Sequence, residues 1–107
     1  MERLCLEFGP SGCEEAVADE IARQLSGVAT LTRDKVGNLY ARVNGEREGL
    51  PTVMLSAHTD EVGLIITSVT ESGFLKFSCV GGIDVSALMF RKVKINGKIN
   101  GVISGKP

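Results

Sequence analysis

The chain's single histidine closes an apolar run and is followed at once by two acids: Pro51-Thr52-Val53-Met54-Leu55-Ser56-Ala57-His58-Thr59-Asp60-Glu61-Val62-Gly63. An imidazole is a common ligand for a divalent transition metal, and a carboxylate two residues on can hold its other ring nitrogen, fixing the tautomer and raising ligand basicity. Side chains alternate along an extended chain, so His58 and Asp60 are expected on the same side. A competing reading is a surface histidine followed by two solvated acids in a turn. A catalytic zinc usually takes three protein ligands and a water. Asp34, Glu61 and Asp84 could add carboxylate oxygens, but their spacing does not bring them to His58. Hydrolysis also needs a base for the activated water, and Glu61 is the local candidate.

These residues depend on the elements around them. Thr52–Ala57 reads as a strand, and its continuous Val53-Met54-Leu55 run suits one buried on both faces, with the chemistry beyond its carboxyl end. Ser11-Gly12-Cys13-Glu14 has the form of a capping box, which predicts a helix over about Cys13–Ser26. Val17, Ile21 and Leu25 form its apolar stripe, and Gly27 stands where a left-handed C-terminal residue is wanted. Further strands are expected at Val28–Thr32, Asn38–Val43, Val62–Thr70, Phe74–Val80, Arg91–Asn96 and Ile99–Ile103. Turns are expected at Val36-Gly37, the loop from Asn44 to Gly49, Ser72-Gly73, Gly81-Gly82, Asn96-Gly97 and Asn100-Gly101.

The pattern changes near residue 67. Residues 1–67 hold a helix followed by strands, an α/β arrangement; residues 68–107 hold only short strands joined by glycine-rich turns, which suits a small sheet or barrel. With 107 residues, one domain at most is expected, with a modest core. Apolar residues at 43%, charged residues at 23% and a formal net charge of −1 describe an ordinary globular chain with no basic footprint for nucleic acid or an anionic membrane. No apolar run is long enough to span a bilayer and the N-terminus is not a signal peptide, so a cytoplasmic protein is expected. Cys5, Cys13 and Cys79 lack paired spacing and read as reduced, mostly buried thiols. The chain leaves off directly after an apolar strand and reads as cut short.

Several motifs in order carry a resemblance: Gly9-Pro10-Ser11-Gly12-x-Glu14, Asp34-x-x-Gly37-Asn38-Leu39, Ala57-His58-Thr59-Asp60-Glu61-Val62-Gly63, Gly81-Gly82-x-Asp84, Arg91-Lys92-Val93-Lys94-Ile95-Asn96-Gly97 and Gly101-Val102-Ile103-Ser104-Gly105-Lys106-Pro107. Together they resemble the start of the glutamyl (deblocking) aminopeptidase family, cytosolic di-metal peptidases that include the tetrahedral aminopeptidases. The resemblance implies the N-terminal part of a zinc-exopeptidase-like α/β core (residues 1–67) running into a β-rich, barrel-like dimerisation insert (residues 68–107). It implies that His58 binds one of two divalent ions, zinc or cobalt, and that Asp60 orients it. Ser11 to Glu14 and Asp34 to Asn38 would be structural, and Gly81, Gly82 and Asp84 would belong to the insert.

By the same comparison the substrate is a peptide trimmed at its N-terminus, and the intact enzyme is a homo-oligomer. Family members are much longer, and their remaining metal ligands and general base lie downstream of the point matched here. The 107-residue chain alone is therefore expected to lack activity. A second reading is a self-associating β module, Ser68 to Pro107, that recruits a copy of itself through open strand edges. A third, glycan hydrolysis, follows from relatives labelled endoglucanases, but no carboxylate pair can be set at the required separation.

Overall fold

The computed structural model describes residues 2–47 and 49–105, so Glu48 of the expected polar loop and Lys106-Pro107 of the terminal motif lie outside the described residues. Two helices lead the chain, α1 (Glu2–Leu6) and α2 (Glu15–Leu25), followed by six strands: β1 (Thr30–Arg33), β2 (Leu39–Arg42), β3 (Gly63–Val69), β4 (Leu75–Val80), β5 (Lys92–Ile95) and β6 (Ile99–Val102). A 3₁₀ turn, Val85–Leu88, precedes β5. The result is α/β. Both α1 and the 3₁₀ turn escaped the sequence pattern, being too short to show a period.

The strands pair in sequence order as separate antiparallel hairpins, β1 with β2, β3 with β4 and β5 with β6. No closed sheet forms among the described residues, so the expected barrel is not seen. Local turn chemistry explains the β5–β6 and β1–β2 hairpins. At Ile95-Asn96-Gly97-Lys98, φ values of 48° at Asn96 and 66° at Gly97 give the doubly left-handed turn that matches strand twist, closed by Lys98 N donating to Ile95 O at 3.0 Å. In the β1–β2 turn the Asp34 carboxylate accepts from the amides of Val36 and Asn38, both at 2.9 Å, from Asn38 Nδ2 at 2.7 Å and from the Tyr40 hydroxyl at 3.2 Å. Asn100-Gly101, expected as a turn, instead lies inside β6, where Gly101 pairs with Val93. The ladder hydrogen bonds of β5 hold it extended. In β3 the register shifts between Ile66 and Ser68, a bulge beside the change of pattern seen in the sequence.

α2 starts two residues later than expected, and its capping box does not form. Glu14 is the N-cap residue and makes no side-chain capping bond. Its carboxylate reaches back only to the Gly12 amide at 2.6 Å, while Ser11 bonds elsewhere. The C-terminal expectation holds, with Gly27 at φ 81° just past the Ser26 cap.

Burial is sparse. Val17, Ala18 and Ile103 form the buried apolar core, where α2 and the residue following β6 meet their neighbours. Overall extents of 66 × 27 × 23 Å and a radius of gyration of 18.7 Å exceed the roughly 13 Å of a compact domain this long. Residues 51–60 form no strand, and Val53, Met54 and Leu55 are 80%, 81% and 93% exposed, against the expectation of a doubly buried strand. A buried parallel strand needs neighbours on both edges and both faces, and the described residues offer none. Cys5 and Cys13 are exposed and Cys79 half-buried, so the thiols are free but not mostly buried.

Candidate functional site

The His58 segment is positioned from its ends. Glu61 N donates to Gly9 O at 2.9 Å, and Pro10 forms a parallel bridge with Glu61. Gly63, which opens β3, lies so close to Pro10 that a Cβ there would come within 2.9 Å of the proline Cβ. Behind this loop Gly9 sits on α2, where an added Cβ would meet Val17 Cγ2 at 2.5 Å. These close approaches explain glycine at both positions and fix where the chain enters β3.

His58 and Asp60 meet as the sequence led one to expect. His58 Nδ1 lies 3.0 Å from Asp60 Oδ1 and 3.1 Å from the Asp60 carbonyl oxygen. An ionised carboxylate and a peptide carbonyl both only accept, so the proton of the neutral ring is assigned to Nδ1 and Nε2 keeps its lone pair. The imidazole is 86% exposed and Asp60 39%. The other Asp60 oxygen, Oδ2, accepts from Ser11 Oγ at 2.5 Å. That hydroxyl is the largest influence holding the Asp60 carboxyl below its ordinary value; His58 acts in the same direction and partial desolvation opposes both.

An imidazole clamped at Nδ1 with Nε2 open is the form of histidine that ligates a metal. Among the described residues no group of three or more His, Cys, Asp or Glu comes together to hold an ion. Asp34 is engaged in its turn, and Asp84 accepts from the amide and hydroxyl of Ser86 at 2.9 and 2.7 Å. The open depression lined by Glu2, Arg3, Arg23 and Gln24 includes neither His58 nor Asp60.

Sequence reasoning missed Ser11 as a partner of Asp60. The two are 49 positions apart, and the Ser-x-x-Glu spacing pointed to a helix cap instead.

The class of protein defined here is an α/β chain presenting a carboxylate-oriented histidine beside a glycine-proline loop. A sequence profile of the M42 glutamyl aminopeptidase family matches residues 37–107, and the chain belongs to that family. Lysyl aminopeptidase of Pyrococcus furiosus is 30% identical over 112 aligned positions, covering 100% of this chain and 32% of that protein. The TET1 peptidase of Pyrococcus horikoshii, described as assembling into a tetrahedron or a large octahedral shell, superposes with a TM-score of 0.82 at 37% identity over 99% of this chain and 32% of its own. A Thermotoga maritima protein named endoglucanase gives a TM-score of 0.90 at 33% identity, covering 98% of this chain and 33% of that one. The chain thus spans about a third of the length of the relatives it matches.

Proposed function

We propose that this chain carries the first metal-ligand segment of a metal-dependent aminopeptidase that removes N-terminal residues from peptides. One observation supports this above the others: in a member of the M42 family, the sole histidine has Nδ1 held by a carboxylate and Nε2 open. His58 would hold one of two divalent ions, zinc or cobalt, through Nε2. Asp60 would keep the ring in that tautomer. Such an ion, when bound, supplies Lewis acidity toward the scissile carbonyl and acidifies a water. His58 is one ligand only, and no group of three or more His, Cys, Asp or Glu comes together among the described residues. The 107-residue chain is therefore inactive by itself in this reading. Residues 1–67 belong to the catalytic domain, of zinc-exopeptidase type, and residues 68–107 begin a β-rich dimerisation domain, with the β3 bulge at their boundary. A cytoplasmic homo-oligomer is part of the same reading.

Calorimetric titration of metal-stripped chain with zinc, alongside a peptide-release assay, tests this. The expected result is weak zinc binding that disappears in His58→Ala, with no residue release. Binding indifferent to His58 would overturn the ligand assignment, and His58-dependent peptide release by the isolated chain would overturn its inactivity.

The second reading, self-association of residues 68–107 through open strand edges without catalysis, is favoured by one feature: β3–β4 and β5–β6 stay separate two-stranded hairpins whose outer edges carry no further strand among the described residues. It requires a concentration-dependent dimer indifferent to chelator, measurable by sedimentation. Glycan hydrolysis, the third reading, would need two carboxylates at a set separation across the scissile bond, and no such pair is read from the sequence.

A further inference from the structure

We infer that Ser11 is a positioning residue for His58, acting through Asp60, and not the helix cap that its sequence context advertises. The inference rests on the reading of His58 as a metal ligand, and concerns what holds that ligand in place.

Residues 51–60 have no strand partner among the described residues, so ladder hydrogen bonds cannot orient the His58 segment. The docked Gly9-Pro10 loop stands in for a ladder: Glu61 N is tied to Gly9 O, and Pro10 is pressed against Gly63. That docking fixes the backbone on both sides of the contact, yet leaves the Asp60 carboxylate free to rotate about its own side-chain bonds. Ser11 removes that freedom. Its hydroxyl donates to Oδ2 while Oδ1 faces His58 Nδ1, so one carboxylate is gripped from both ends in the series Ser11, Asp60, His58. A hydroxyl donor to one oxygen leaves the other as an acceptor, which is what the Nδ1 proton requires. α2 makes no competing claim on Ser11, since the helix begins at the Glu14 cap with no side-chain bond. With both oxygens engaged, Asp60 serves as an orienting group and His58 Nε2 is the atom left open to a metal.

The chain contains one histidine, so the tautomer of His58 can be read from nitrogen-15 imidazole spectra of the full chain without overlap. The native chain is expected to show the neutral ring with Nδ1 protonated. Ser11→Ala should shift the population toward the Nε2-protonated form, and Ser11→Thr, which keeps the hydroxyl, should restore the native pattern. Hydrogen exchange at the Glu61 amide should be unchanged in both. A native pattern in Ser11→Ala overturns the inference while leaving the His58 and Asp60 pairing intact. Loss of Glu61 protection in Ser11→Ala also overturns it, because Ser11 would then act by docking the loop. Asp60→Ala separates the two levels, because it removes the carboxylate and keeps the Asp60 carbonyl that lies 3.1 Å from Nδ1: if that variant keeps the native tautomer, the carbonyl alone orients the ring and the inference falls, while the reading of His58 as a metal ligand stands.

Discussion

The amide of Glu61 donates to the carbonyl of Gly9 at 2.9 Å, joining the loop before α2 to the residue that follows Asp60. This bond and the adjacent Pro10 bridge bring the N-terminal loop against the His58 segment, so the site is built as much by residues 9–11 as by residues 58–60. The loop is in turn seated on Val17, one of the few buried side chains among the described residues.

Gly9→Ala is accordingly expected to be destabilising. Its Cβ would lie 2.5 Å from Val17 Cγ2, and a buried, β-branched neighbour has little room to move. Overpacking of this kind typically costs about 1–3 kcal/mol. Urea unfolding followed by far-ultraviolet circular dichroism should show a lower midpoint, together with faster exchange of the Glu61 amide.

On α2, Arg23 Nε and its terminal nitrogen both reach the Glu20 carboxylate at 2.6 Å, and Gln24 joins them at 2.8 Å. Arg23 is the main cause of the Glu20 pKa falling from 4.5 to about 2, followed by Gln24. Because the folded value is the lower one, the contribution to helix stability is fully present above pH 4.5 and is lost as pH falls toward 2. Glu20→Gln should therefore be less helical than the native chain near neutrality and indistinguishable from it at the acid end of that window. Circular dichroism across the range checks this.

Asp34 holds the β1–β2 turn with four accepted hydrogen bonds, the one from the Asn38 side chain doing most to lower its pKa below 3.8. Asp34→Ala should speed exchange at the Asn38 amide and loosen the pairing of Arg33 with Leu39. In the native chain the same loosening should appear only below pH 3.8, as the carboxylate is protonated.

The exposed run Val53-Met54-Leu55 makes a prediction about solution behaviour. Apolar side chains beside unpaired backbone groups promote association. Leu55→Lys should reduce concentration-dependent association in sedimentation experiments by placing a charge at the residue that is 93% exposed. It should leave the α2 helical signal unaltered, since residues 51–60 make no ladder with the rest of the described residues.

Features governed by neighbours in the chain are legible in the sequence itself. Gly27 ends α2 and Asn96-Gly97 turns the β5–β6 hairpin because each supplies a left-handed backbone that few other residues tolerate. The stripe of Val17, Ile21 and Leu25 marks α2 through its period alone. His58 and Asp60 are paired by a two-residue spacing that brings a ring nitrogen and a carboxylate within reach even without a strand beneath them. Tertiary structure decided what depends on distant partners. Ser11 could accept from the Glu14 amide as a helix cap or donate to Asp60, and docking of the Gly9-Pro10 loop on Glu61 brought Asp60 within its reach. Val53-Met54-Leu55 has the composition of a buried strand, but an apolar sequence becomes a strand only when edges and faces are supplied, and here nothing covers it among the described residues.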